Sequence, residues 1–146
     1  MARFRYRMQN ILEVKEKLET QAKNEFAQAN VALRTEEDKL EELKNRRKAY
    51  EERLHELYEG NLDLRDISET STAIETIKYM EQVQMISVKN AEIQVERKRE
   101  ALSDAVKDVK THEKLKEKQF EAFKASEAAK ESKEIDELVS YRFGEA

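Results

Sequence analysis

A chain of 146 residues has room for one ordinary domain and not for two. Charged residues make up 41% of it and apolar residues 38%, with a net charge of −4, two glycines and no proline, cysteine or tryptophan. This composition excludes a turn-rich globular fold, a disulfide framework and a thiolate zinc site, and no apolar run approaches the ~18 residues of a membrane span. High charge at low hydropathy leaves disorder or long helices, and periodicity decides between them.

The chain opens MARFRYRMQNILEVKEKLE, where the alternation of aromatic and basic residues in FRYR reads as an accident of a helix start, because the residues after it keep a helical spacing. Met8, Ile11, Val14, Leu18, Ala22, Phe26, Ala29 and Leu33 step by three or four, and Leu40, Leu43, Tyr50, Leu54 and Leu57 continue the stripe. A seam this long predicts a first helix over about 3–59, with Phe4 one turn before Met8 on the same face. Gly60-Asn61 is the clearest stop signal, so residues 60–72 are expected to connect two helices. Thr72-Ala-Ile-Glu75 has the form of a capping box, with Asp66-Ile-Ser-Glu69 as a rival start.

A second helix is expected over about 73–140, carrying Ile74, Ile77, Val88, Ala91, Val95, Leu102 and Val109 among its seam residues. Val88, Val95, Leu102 and Val109 recur every seven residues, which implies a left-handed supercoil. The fold class is therefore all-α, a long two-helix antiparallel coiled-coil hairpin with a longer second helix, forming a single domain. If Glu59 and Ala73 flank the turn, facing positions sum to 132 and the two stripes meet along their shared length. Glu36, Arg47, Arg99 and Lys116 interrupt the seam. That register leaves roughly residues 129–146 beyond the start of the first helix, with Ile135, Leu138, Val139 and the Tyr141-Arg142-Phe143 cluster uncovered.

Catalysis has no foothold here. His55 sits in HELYE, half of a zinc-protease motif without its second histidine, and His112 lies far from it. Two isolated glycines build no phosphate-cradling loop, and the acidic pairs have no cleft to shift their pKa values. No enzyme activity, catalytic residue, metal, cofactor or small-molecule substrate is expected. The basic run Lys44–Lys48 is the best nucleic-acid candidate, but acids on both sides make an ordinary charged surface the better reading. Arg3, Arg5 and Arg7 at a helix N-terminus oppose the macrodipole and so suggest a partner. Tyr79, Val83, Ile86 and Ile93 form a second apolar run that the heptad frame turns outward, unless Leu62, Leu64 and Ile67 fold back over it or a stutter exchanges it with the seam run.

Two segments carry a family resemblance. FRYRMQNILEVKEKLETQAK resembles the aromatic-basic start of the flagellar type III export protein FliJ family, and HEKLKEKQFEAFKASEAAKESKEIDEL resembles its C-terminal segment. The likeness spans nearly the whole chain. It implies a cytoplasmic coiled coil similar to the central stalk subunit of rotary ATPases, held at the cytoplasmic face of the membrane through the export apparatus. The implied partners are the hexameric flagellar export ATPase, the membrane export gate protein and export chaperones. Carried onto this chain, the ATPase-facing surface would be Phe4, Arg5, Tyr6 and Arg7 with Ile135, Leu138, Tyr141 and Phe143. The gate-facing surface would be Leu43, Tyr50, Tyr79, Val83 and Ile86, although Arg46 stands where some relatives carry an aromatic residue. The readings that compete with this one are a generic structural coiled coil and a nucleic-acid-binding arm built on Lys44–Lys48.

Overall fold

The computed structural model describes residues 2–144. They form two helices, α1 (Gln9–Glu59) and α2 (Leu64–Gly144), packed as a helical hairpin with the longer helix second. The described residues contain no strand. Two compact units arise along this pair. One holds residues 22–102, including the turn, and the other holds the chain up to Gln21 together with the chain from Ser103 onward.

Both helices bury a coiled-coil seam. From Leu12 to Leu57 in α1 and from Ile67 to Lys116 in α2 a run of less exposed positions steps by three and four, with flanking neighbours such as Glu25, Lys44, Ala73, Ser87 and Ala105 also half-buried. A 3-4 alternation keeps each side chain on the facing stripe, as a heptad seam demands. The most buried apolar side chains are Tyr6, Leu12, Ile74, Ile77, Val95 and Val109. The early seam differs from expectation. Ile11, Val14 and Leu18 are 44%, 54% and 46% exposed, while Leu12 is 3% exposed and Lys15 and Glu19 sit half-buried. Counting back from Ala22 in strict threes and fours reaches Glu19, Lys15, Leu12 and Met8, so heptad geometry outranks local hydrophobicity here.

The connection is four residues, Gly60–Asp63, and not the thirteen expected. Thr72 does not cap α2. It lies inside the helix, its hydroxyl donating to the Ser68 carbonyl at 2.9 Å. Asp63 caps instead. Its Oδ1 accepts from the amides of Arg65 at 3.0 Å and Asp66 at 3.4 Å, two donors that a helix start leaves orphaned. α1 ends with the Gly60 amide donating to the Glu56 carbonyl at 3.2 Å, with no positive φ among the described residues.

A shorter turn moves the register. The observed cross-helix pairs are Arg47–Glu81, Gln84–Glu36, Lys98–Glu25, Lys15–Asp108 and Lys116–Gln9, whose positions sum to between 120 and 128 rather than 132. With Glu59 and Leu64 flanking the turn, a sum of 123 is what an antiparallel pair would give. The four polar interruptions of the seam all take partners. Arg47 donates to Glu81 at 2.8 Å and to Glu51 at 3.0 Å, and these bonds, Glu81 first, raise its pKa above the ordinary guanidinium value. Glu36 accepts from the Gln84 amide, both at its side chain and at its main-chain carbonyl. Arg99 stands 5.9 Å from the Phe26 ring centroid, and Lys116 donates to Gln9 at 2.8 Å.

Candidate partner-binding surfaces

The terminal unit begins with an extended strap. Residues 2–6 are not helical, contrary to a helix from residue 3, and α1 starts only at Gln9, whose amide donates to the Tyr6 carbonyl at 3.1 Å. The alternation of FRYR governs this strap after all. Phe4 and Tyr6 turn inward while Arg3, Arg5 and Arg7 stay exposed. An extended chain sends successive side chains to opposite faces, so aromatic and basic residues separate cleanly. The Phe4 ring lies 5.1 Å from Phe120 and 5.5 Å from Phe123, tilted by 59° and 48°, within the range of favourable ring contacts. Tyr6 is 6% exposed, and its hydroxyl finds no hydrogen-bond partner among the described residues.

Phe4, Leu12 and Phe120 floor a shallow groove beside this strap, rimmed by Glu16, Glu113 and Glu117. No sequence pattern marks these three acids as a group, because they come from two helices and join only through the register. Lys124 sits over the Phe120 ring at 4.6 Å.

Helix pairing stops near Glu127. Every described residue of α2 after it is exposed, among them Ile135, Leu138, Val139, Tyr141 and Phe143. The strap residues Phe4, Arg5, Tyr6 and Arg7 and this tail belong to the same unit. The aromatic pair is half-buried to buried, so only the arginines and the tail are free surface.

The other unit carries the second expected surface. Tyr79, Val83 and Ile86 are 67%, 47% and 63% exposed, with Ile93 also exposed, so this run faces outward. Leu62 and Leu64 are themselves exposed and do not cover it. Leu43 and Tyr50, by contrast, are half-buried in the seam. Tyr50 shares a shallow groove with Arg46, Thr76, Ile77 and Met80. The structure thus separates the five residues into two on the seam and three on the surface.

No cluster of three or more His, Cys, Asp or Glu positioned for a metal ion occurs among the described residues. His55 Nε2 lies 3.1 Å from Glu59 on an open helix surface. No helix among the described residues is long and apolar enough to cross a membrane. Fold and surfaces together define a coiled-coil hairpin whose free apolar and basic groups lie on helix faces and at the chain ends, the anatomy of an interaction protein.

A family model described as "Flagellar FliJ protein" matches residues 4–146. The chain belongs to that family, and with it to the components of flagellar type III export. It is 26% identical over 143 residues to the flagellar FliJ protein of Bacillus subtilis strain 168, covering 96% of this chain and 95% of the relative. Its fold is similar to the solved structure of a protein described as a YscO homolog from Chlamydia trachomatis, with a TM-score of 0.70 at 20% identity over 93% of each chain.

Proposed function

We propose that this protein is a non-enzymatic stalk of the flagellar export machinery, working in the cytoplasm at the inner face of the membrane. It associates with the hexameric export ATPase, promotes assembly of the hexamer, couples it to the membrane export gate and handles export chaperones. The observation that supports this most is the terminal unit, where a basic-aromatic strap is clasped onto α2 beside an uncovered helical tail. The tail gains no packing from α1, and helical stability in water comes mostly from packing an apolar face, so a tail carrying Ile135, Leu138, Val139, Tyr141 and Phe143 is explained by a partner that covers it. Arg5, Arg7, Ile135, Leu138, Tyr141 and Phe143 are the groups offered to the ATPase, with Phe4 and Tyr6 holding the strap in place. Tyr79, Val83 and Ile86 are the groups offered to the gate, with Leu43 and Tyr50 supporting them from the seam.

ATP hydrolysis by the cognate export ATPase, measured with the full chain and with a chain ending at Ala128, tests the reading. Stimulation by the full chain that is lost on truncation is the expected result. An active ATPase that responds to neither form would overturn the stalk function.

A further inference from the structure

Two apolar stripes in the terminal unit have no cover. Ile11, Val14 and Leu18 are 44%, 54% and 46% exposed on α1, and Ile135, Leu138 and Val139 are 59%, 65% and 45% exposed on the tail. The tail cannot fold back over its own α1. α2 contains no proline, and its sole glycine is Gly144, so the helix continues unbroken past the point where α1 begins. It leads away from the stripe it would have to reach. A cover for either stripe therefore comes from another chain.

The stripes also match each other. Ile11, Val14 and Leu18 step by three and four on α1, as Ile135, Leu138 and Arg142 do on the tail, and Arg7, in the turn before α1, precedes its set by four residues as Glu131 precedes the other. Laid in parallel, Glu131 meets Arg7, Ile135 meets Ile11, and Leu138 meets Val14. The Arg142 stem then crosses Leu18, keeping its charge in water. Charge favours the same alignment at one point, Arg7 against Glu131, while Glu137 falls opposite Glu13. Arg3, Arg5 and Arg7 are exposed and in no ion pair among the described residues, and the same holds for Glu131, Glu134, Asp136 and Glu137 on the tail. When two copies meet with their α2 helices antiparallel, the tail of each runs parallel to the α1 of the other. Each copy then gives one tail and accepts one, so the contact closes at two.

We propose that the free chain forms a two-fold homodimer, each C-terminal tail docking on the Ile11, Val14 and Leu18 stripe of the other copy. This association does not depend on the stalk reading, and its test contains no ATPase. Sedimentation of the full chain across the micromolar range should show the mass rising from 17.2 kDa toward twice that value. A chain ending at Ala128 should stay monomeric. So should the double variant Val14→Glu, Leu18→Glu, whose exposed positions leave helicity unchanged by circular dichroism. Mixing these two variants should restore a one-to-one complex, since one keeps the stripe and the other keeps the tail. A full chain that remains at 17.2 kDa at the highest concentration overturns the proposal. Dimerisation of the Val14→Glu, Leu18→Glu variant as strong as that of the natural chain also overturns it, because the tails would then be pairing with each other.

Discussion

The start of α2 can be located by two alanine substitutions that should move stability in opposite directions. Asp63→Ala removes a carboxylate that accepts from the amides of Arg65 and Asp66. The loss should be about 1 kcal/mol, up to about 2, as for other cap residues. Asp63→Asn should lose less, since the acceptor stays and only the charge at the positive end of the helix goes, worth about 0.3–1 kcal/mol. Thr72→Ala acts elsewhere. Thr72 is exposed in the helix interior, and its hydroxyl bonds back to a carbonyl that already serves the helix. Alanine is the better helix former by up to about 0.7 kcal/mol, so stability should hold or rise slightly. Urea denaturation followed by far-ultraviolet circular dichroism measures all three on one scale. If Thr72→Ala costs as much as Asp63→Ala, the helix begins at Ala73, nine residues after Leu64, and the four-residue turn is wrong.

Phe4→Ala should loosen the strap without melting the hairpin. Each ring pair with Phe120 and Phe123 is worth about 0.5–1.5 kcal/mol, so the Gln9 amide, held by the Tyr6 carbonyl, should exchange its hydrogen roughly ten- to a hundredfold faster. Unchanged exchange would mean that the rings do not hold the strap. Replacing Tyr79, Val83 and Ile86 by glutamine should each change stability by no more than about 0.5 kcal/mol, because all three are exposed. A large fall in melting temperature would place them in the core. Arg47→Ala should lower the melting temperature more than Arg47→Leu combined with Glu81→Leu, since the single change strands the Glu81 carboxylate at 12% exposure. The Arg47 pKa is raised, so its contribution is complete below the ordinary guanidinium range and is lost only as pH climbs through the raised value. The stability gap between the natural chain and Arg47→Ala, measured by thermal melts from neutral to mildly alkaline pH, should therefore stay constant.

Helix count, topology and the longer second helix were legible because a coiled-coil seam writes itself into sequence as a period, and the absence of proline leaves nothing to interrupt it. The heptad frame turned Tyr79, Val83 and Ile86 outward as well, but the sequence left open whether the connection would fold back over them, and only the structure places all three on the surface. The chain start was not. A segment of five residues is too short for a period to show, and FRYR fits both a strand-like strap and the first turn of a helix. What decides is tertiary. Phe4 finds Phe120 and Phe123 only because α2 extends beyond the start of α1.

The turn shows how one local misreading propagates. Gly60 correctly marks where α1 stops, but several residues after it could cap the next helix, and Thr72 with Glu75 matches the stronger pattern. Choosing Thr72 over Asp63 lengthens the connection by nine residues and moves every facing pair by the same amount, more than a heptad. The apolar stripes still meet in that wrong register, because a seven-residue repeat nearly maps onto itself when shifted. Hydrophobic pattern alone therefore cannot choose between registers a heptad apart. The polar pairs can. Arg47 finds Glu81, Glu36 finds Gln84 and Lys116 finds Gln9 only in the observed register. A seam made wholly of leucine would bury more apolar surface and specify its alignment less well. The charged interruptions that looked like weaknesses are thus the features that hold the two helices in one alignment, and with it fix how much of α2 is left uncovered as a tail.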